Sequence, residues 1–302
     1  MISGYQHPQY AESLAEFGVP TELPSSQGWV LVRDIAGTEA RDAMGCYPLF
    51  SCRNWAGLCQ DIESLGSDLV SLTLVTDPLG DYQLDDLKAC FPDLVRPFKE
   101  HFIIDLHEPR ERTVAKDHRR CARNALRELT VEVVHDPESF IDEWTVLHGH
   151  LVNKHDISGI RAFSHRAFFT QFRTPGIVIL RAMYGQRNVA AMMFFVQDGV
   201  AHAHVLGCNP EGYAQGAIYA ILWHTFDIFD DSVRWCNLMG VPDGSGQQVE
   251  NIRRFKRGWT RTTKTAYLCG KVLNRDKYDE LAALYTAGNT PYFPIYRAGD
   301  LL

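Results

Sequence analysis

The chain has 302 residues, enough for one large or two ordinary domains with real cores. Hydrophobic residues make up 45% and charged residues 22%, which is ordinary for a globular chain, and no apolar run is long enough to span a bilayer. The net charge of −7 disfavours a protein that coats nucleic acid non-specifically, and MISGYQHPQYAESL has neither the basic nor the apolar region of a secretory signal, so the expected compartment is the cytoplasm.

Taken in order, the chain predicts a helix over 9–17, a strand over 29–34 and a Gly/Pro-punctuated loop over 42–48. A helix over 55–65, a strand over 69–76, a helix over 84–90 and a strand over 101–104 follow. Next come a helix over 114–129 and a strand over 131–135. Asp136 is a plausible cap for a helix over 139–151, and Ser164 for one over 165–172.

From Gly176 the pattern sharpens. The runs GIVILRAMY, NVAAMMFFVQ and VAHAHVLG are separated by Gly185-Gln186-Arg187 and Asp198-Gly199, both hairpin-type turns. EGYAQGAIYAILWHTFDIF then opens a helix, VRWCNLMG is a strand, QQVENIRRFKRGW a helix and TAYLCGKVL a last strand. Strands and helices alternate throughout, so the class is α/β with mixed, α+β-type sheets. Neither GxGxxG nor GxxxxGK[ST] occurs, which disfavours a dinucleotide fold and a P-loop. The halves meet near 135–140 without a flexible spacer, giving domains of 1–137 and 138–302 that share an interface.

Positive charge is concentrated in two segments, 110–127 and 253–264, which in an acidic chain suggests binding of an anion. None of the eight cysteines has CxxC spacing, so neither a disulfide framework nor a zinc or other metal site is expected, and Cys236 and Cys269 read as buried hydrophobes.

A meander feeding a helix through a glycine turn, with a strand returning beside it, resembles the acyltransferase core of the GNAT superfamily. Arg254-Phe255-Lys256-Arg257-Gly258-Trp259 resembles the Phe-Lys signature of the FemABX peptidyltransferases, which build two such cores in one chain. The resemblance covers 177–273 well and is one of element order before that. It implies two GNAT-like cores packed side by side, a degenerate one in 1–137 and the acyltransferase core in 138–302. The activity it implies is transfer of an acyl or aminoacyl group from an activated carrier to an amine. That carrier would be aminoacyl-tRNA or an acyl thioester of coenzyme A or acyl carrier protein. The acceptor would be an anionic cell-envelope, polysaccharide or natural-product molecule, and no cofactor would be tightly bound. Two alternatives stay open: an acetyl-CoA-dependent GNAT N-acetyltransferase, and a binding module that kept the fold without catalysis.

Acyl transfer needs a polarised carbonyl, an amine that loses a proton, and both held in line. By the resemblance Lys256 lies at the acceptor channel with Phe255 packed beneath it, and Arg253, Arg254 and Arg257 could clamp an acceptor phosphate. His202 and His204 alternate along one strand and share a face; His204 is the better candidate base, with His202 lining the site. Asp243, in MGVPDGSG, is the nearest carboxylate able to accept the amine proton. Tyr213, Ala214, Gln215, Gly216 and Ala217 open a helix whose N–H groups suit a donor phosphate. In the GNAT glycine pattern Tyr213 would take the Gln/Arg position, a poor match that leans away from coenzyme A and toward the FemABX branch. The loop 42–48 could line the cleft, although Cys46 has no evident base partner. The basic helix 116–127 resembles one found in FemABX proteins, and without a heptad run no coiled-coil tRNA arm is expected.

Overall fold

Short strands and reverse turns dominate the start of the chain in the computed structural model, which describes residues 2–229, 231–242, 244–284 and 292–298. Helix α1 (Pro8–Glu12) is capped by His7, whose side chain accepts the Gln9 N–H. Strands β1 (Val19–Leu23) and β2 (Gly28–Asp34) form an antiparallel hairpin, β3 (Arg41–Gly45) pairs antiparallel with β2, and β4 (Leu69–Val75) runs parallel to β3. Helices α2 (Leu58–Ser64) and α3 (Leu84–Cys90) stand before and after β4. Their core gathers Val30, Phe50, Trp55, Ile62, Leu72, Leu74 and Phe91.

Three features here differ from the sequence reading. The loop expected over 42–48 is largely β3; with few β-branched residues it takes its conformation from its neighbours in the sheet. β1 has no counterpart in the prediction, because Pro20 hides the pattern of an edge strand. Cys59 and Cys90 form a disulfide, with Cα atoms 4.9 Å apart.

The second part of the chain contains β5 (Leu94–Asp105), α4 (Arg110–Thr113), α5 (Lys116–Ala125), β6 (Leu129–Val133), α6 (Ile141–His155) and α7 (His165–Gln171). The meander β7 (Ile177–Tyr184), β8 (Arg187–Gln197) and β9 (Val200–Cys208) follows, then α8 (Pro210–Gln215), α9 (Ala217–Ile228), β10 (Trp235–Asn237) and α10 (Gln247–Arg257). β11 (Thr263–Val272) and α11 (Arg275–Leu284) come next. The meander is antiparallel throughout, as its turns predict: Asp198 and Gly199 both take positive φ, 46° and 75°, which is the two-residue turn that matches strand twist. Almost all of β8 is buried, which explains its unbroken apolar run. Ser164 Oγ accepts the Ala167 N–H at 3.0 Å, the cap its position predicts. No helix among the described residues is long and apolar enough to cross a membrane.

Contacts divide the chain into two units, each built from separate stretches: Met1–Gly4, Lys99–Ile157 and Ser164–Lys264 in one, Tyr5–Phe98, Ser158–Phe163 and Thr265–Leu302 in the other. Residue 137, the expected boundary, falls inside the first. Both follow one plan: three antiparallel strands, a helical crossover, a strand parallel to the third, a helix and a further strand. The plan reads β1–β2–β3, α2, β4, α3, β5 and then β7–β8–β9, α8–α9, β10, α10, β11. The closing strands are exchanged, since β5 pairs with β10 and β11 with β4. This exchange defeats a single cut in the sequence. In the first unit the core lies between the meander and helices α5 and α9, around Leu180, Met192, Phe194, Ala220 and Trp259.

Candidate active site

The parallel ladder between β9 and β10 lasts three residues, from Val200↔Trp235 to His202↔Asn237. β9 then runs on to Cys208 alone on that side, while Leu238 stays with β5 by donating its N–H to the Phe102 carbonyl at 2.9 Å. Just past the parting, Phe194 faces Ala203 and Met193 faces Val205, so His204 is the extra residue of a β-bulge. The main chain of 203–207 therefore lacks β10 as a ladder partner, and the two strands open where a reacting carbonyl could be held.

Lys256 reaches from α10 to the turn that follows β10. Its Nζ donates to the carbonyls of Met239, at 3.3 Å, and Gly240, at 2.5 Å. Burial, reinforced by the neighbouring Lys99 charge, lowers its pKa to about 7. Beside it, His101 of β5, Asn237 of β10 and His202 of β9 form a hydrogen-bonded row across three neighbouring strands, with His101 Nδ1 and His202 Nδ1 each 3.2 Å from the Asn237 amide. Burial, with the Lys256 charge next in weight, drives His101 down to about 3. The expected pair of histidines does share a face: His204 lies against Phe195, which is paired with His202, and both His148 and His202 act on it electrostatically. Burial lowers His204 to about 3, so it stays uncharged at neutral pH.

The rest of the Phe-Lys helix is used for packing. Phe255, His118, Tyr219 and Trp259 form an aromatic cluster with ring centroids 5.0–6.3 Å apart. The Phe255 carbonyl accepts His118 Nε2–H at 2.9 Å. A Cβ on Gly258 would stand 2.1 Å from His118 Cε1, so only glycine lets α10 approach α5 this closely. This junction joins the two basic segments: Lys116, Arg120 and Arg123 on α5 and Arg254 and Arg257 on α10 are all exposed. Arg253, by contrast, pairs with Glu250 at 3.2 Å.

The donor turn is more regular than expected. Asn209 Oδ1 accepts the Gly212 N–H at 2.8 Å and starts α8, and the Tyr213 N–H donates to the Asn209 carbonyl at 3.1 Å. Tyr213, Ala214 and Gln215 thus lie inside a short helix rather than at a helix start, and the Tyr213 ring is covered by Lys154 Nζ at 3.9 Å. The break falls at Gly216, left-handed at φ 72°, and Ala217 is the first residue of α9. Asp243 lies outside the described residues. Lys256 and His202 thus both border the His101–Asn237 row at the end of β10, Phe255 packs apart from it against His118, and His101, Asn237 and His118 are residues the sequence reading missed. A lone asparagine in the apolar run VRWCNLMG was the available signal for Asn237.

No known protein family matches the sequence, and no curated protein does either. Solved structures do share the fold. FemX superposes with a TM-score of 0.65 at 8% identity over 90% of this chain and 92% of its own. The C-terminal domain of a protein described as a lysylphosphatidylglycerol synthetase, from Agrobacterium fabrum, does so with a TM-score of 0.59 at 15% identity over 95% of both chains. L-PGS from Bacillus licheniformis gives 0.51 at 14% identity over 91% of this chain and 95% of its own. The chain therefore has the fold of FemX and of the Agrobacterium fabrum C-terminal domain.

Proposed function

We propose that this chain is an N-acyltransferase that moves an aminoacyl group from an activated carrier to an amine on an anionic acceptor. The observation that carries the reading is Lys256, which reaches from a Phe-Lys helix to the Met239–Gly240 turn, two residues past the last pair between β9 and β10. The opening offers the acyl carbonyl the side of β9 that β10 no longer pairs, Lys256 marks the acceptor side, and Arg254 and Arg257 offer exposed cations to an acceptor phosphate. The likeness to a lysylphosphatidylglycerol synthetase domain supports an aminoacyl group and an envelope acceptor. The capped helix α8, standing where a coenzyme A donor would want a free glycine turn, supports a carrier such as aminoacyl-tRNA over acetyl-CoA.

Hydrogen exchange in the presence of each donor tests this. A charged tRNA mixture should slow exchange over 203–207 and at the start of α9, and acetyl-CoA should do so weakly. Protection by acetyl-CoA alone would assign the chain to thioester chemistry, and protection by neither would leave a binding module.

A further inference from the structure

Met239 sits at φ 63°, a left-handed conformation that a non-glycine residue adopts only at a cost. What holds it there is Asn237, whose Oδ1 accepts the Met239 N–H at 2.8 Å. That bond also fixes the amide's orientation, because an NH₂ group could not accept it. Asn237 Oδ1 must then accept Nδ1–H from His101, and Asn237 Nδ2–H must donate to Nδ1 of His202, both at 3.2 Å. His202, accepting at Nδ1, is thereby held uncharged with its proton on Nε2, while His101 carries a proton on Nδ1 and is kept uncharged at neutral pH by its burial.

The turn so held aims the Met239 and Gly240 carbonyls at Lys256 Nζ. Two carbonyls satisfy the two N–H bonds of an amine and leave its lone pair as the third direction. An ammonium would have a third N–H to place. Among the described residues, the titratable groups facing Nζ are Lys99 and His101, both from β5, and the loop after β10 contributes main-chain carbonyls. Gly240 seals this side, since a Cβ there would stand 3.0 Å from Lys99 Cβ and 3.4 Å from His101 Cδ2. The Lys99 cation favours an uncharged lysine, and the neutral His101 ring offers no negative charge to oppose it.

We propose that Lys256 works as an uncharged amine that takes the proton released when the acceptor amine is acylated, with Asn237 as its positioning residue. This rests on the acyl-transfer reading above. The acceptor nitrogen attacks the acyl carbon and forms the C–N bond while the carbonyl pair moves to oxygen. Its return breaks the bond to the carrier, whose oxygen or sulfur leaves with the bonding pair. The proton from the nitrogen passes to Lys256 Nζ, and the ammonium hands it on to the leaving atom. The burial that lowers Lys256 to about 7 supports this role.

The test is a pH titration of the full chain carrying ¹⁵Nζ-labelled lysine, followed by NMR, with the Lys256 signal assigned by its loss in Lys256→Arg. The expected midpoint is near 7 in the wild type, and about one unit or more higher in Asn237→Ala, where the turn is released. A wild-type midpoint near the ordinary lysine value of about 10 overturns the proposal, whether or not Asn237→Ala folds. An unshifted midpoint in a folded Asn237→Ala removes the positioning role. In turnover, Lys256→Arg puts a permanent charge there that can neither take nor give up a proton, so a loss of about 100-fold or more is expected, and full activity overturns the base role. If the wild type transfers no group from aminoacyl-tRNA or acetyl-CoA, the acyl-transfer reading fails, while the titration still decides the charge state.

Discussion

Asn237 and Lys256 grip Met239 from opposite sides: the Asn237 amide oxygen takes its N–H at 2.8 Å, and Lys256 Nζ donates to its carbonyl at 3.3 Å. A strand side chain and a helix side chain thereby set the same left-handed residue, just past the last rung between β9 and β10. The proposed chemistry depends on that residue keeping its conformation.

Lys256 also makes stability depend on pH. In the folded chain it loses its proton near pH 7, and in the unfolded chain near about 10.4. Between those values the unfolded state holds the extra proton, so stability rises with pH. Denaturant unfolding should show the wild type gaining roughly 1–2 kcal/mol between pH 7.5 and 9 from this group. Lys256→Met should lose that gain; an equal slope in both proteins would contradict the buried, depressed lysine.

On the acid side the sign comes from the histidines. Burial lowers His101 and His204 to about 3 and His148, stacked on Trp144, to about 4. Unfolded histidines protonate at about 6.5, so the unfolded state binds more protons below that value and stability falls from there toward pH 4. His148→Phe keeps a ring against Trp144 and should flatten the loss measured by urea unfolding at pH 6.5 and 4.5. An unchanged slope would remove His148 from the account.

Gly258→Ala should destabilise the protein by about 1–3 kcal/mol, since its Cβ would collide with the His118 ring 2.1 Å away. His118→Ala in the same chain removes the obstacle. Thermal unfolding of the single and double variants should show partial recovery in the double, and additive losses would mean that the two residues do not oppose each other.

Gly216 has a different reason to be glycine. A Cβ there would meet Ala125 and Tyr219 at ordinary distances of 3.6 and 3.7 Å, so the cost lies in its φ of 72°. Gly216→Asn should be tolerated and Gly216→Val should cost about 1–2 kcal/mol. Separate titrations with donor and acceptor should show Gly216→Val weakening the donor more; equal loss of both would mean general damage to the core.

Local signals carried much of this fold. Asp198-Gly199 and the apolar run of β8 determine the meander by themselves, and Phe255 and Lys256 stand out in an otherwise basic helix. What could not be read depends on partners distant in the chain. His101 and Asn237 are 136 positions apart and meet only because β5 crosses to pair with β10. Arg41–Gly45 becomes a strand because β2 and β4 flank it, and Cys59 finds Cys90 because α2 and α3 pack together. At Gly212–Gly216 the glycines suggest an open turn, whereas Asn209, a strong cap, starts the helix before they are reached.

The most direct test of the central claim is transfer of radiolabelled aminoacyl groups from charged tRNA to a panel of amine-bearing anionic acceptors, in single turnover, by the wild type and Lys256→Met. The account predicts label on an acceptor amine with the wild type and a loss of about 100-fold or more in a folded Lys256→Met. Equal transfer by both proteins would contradict it.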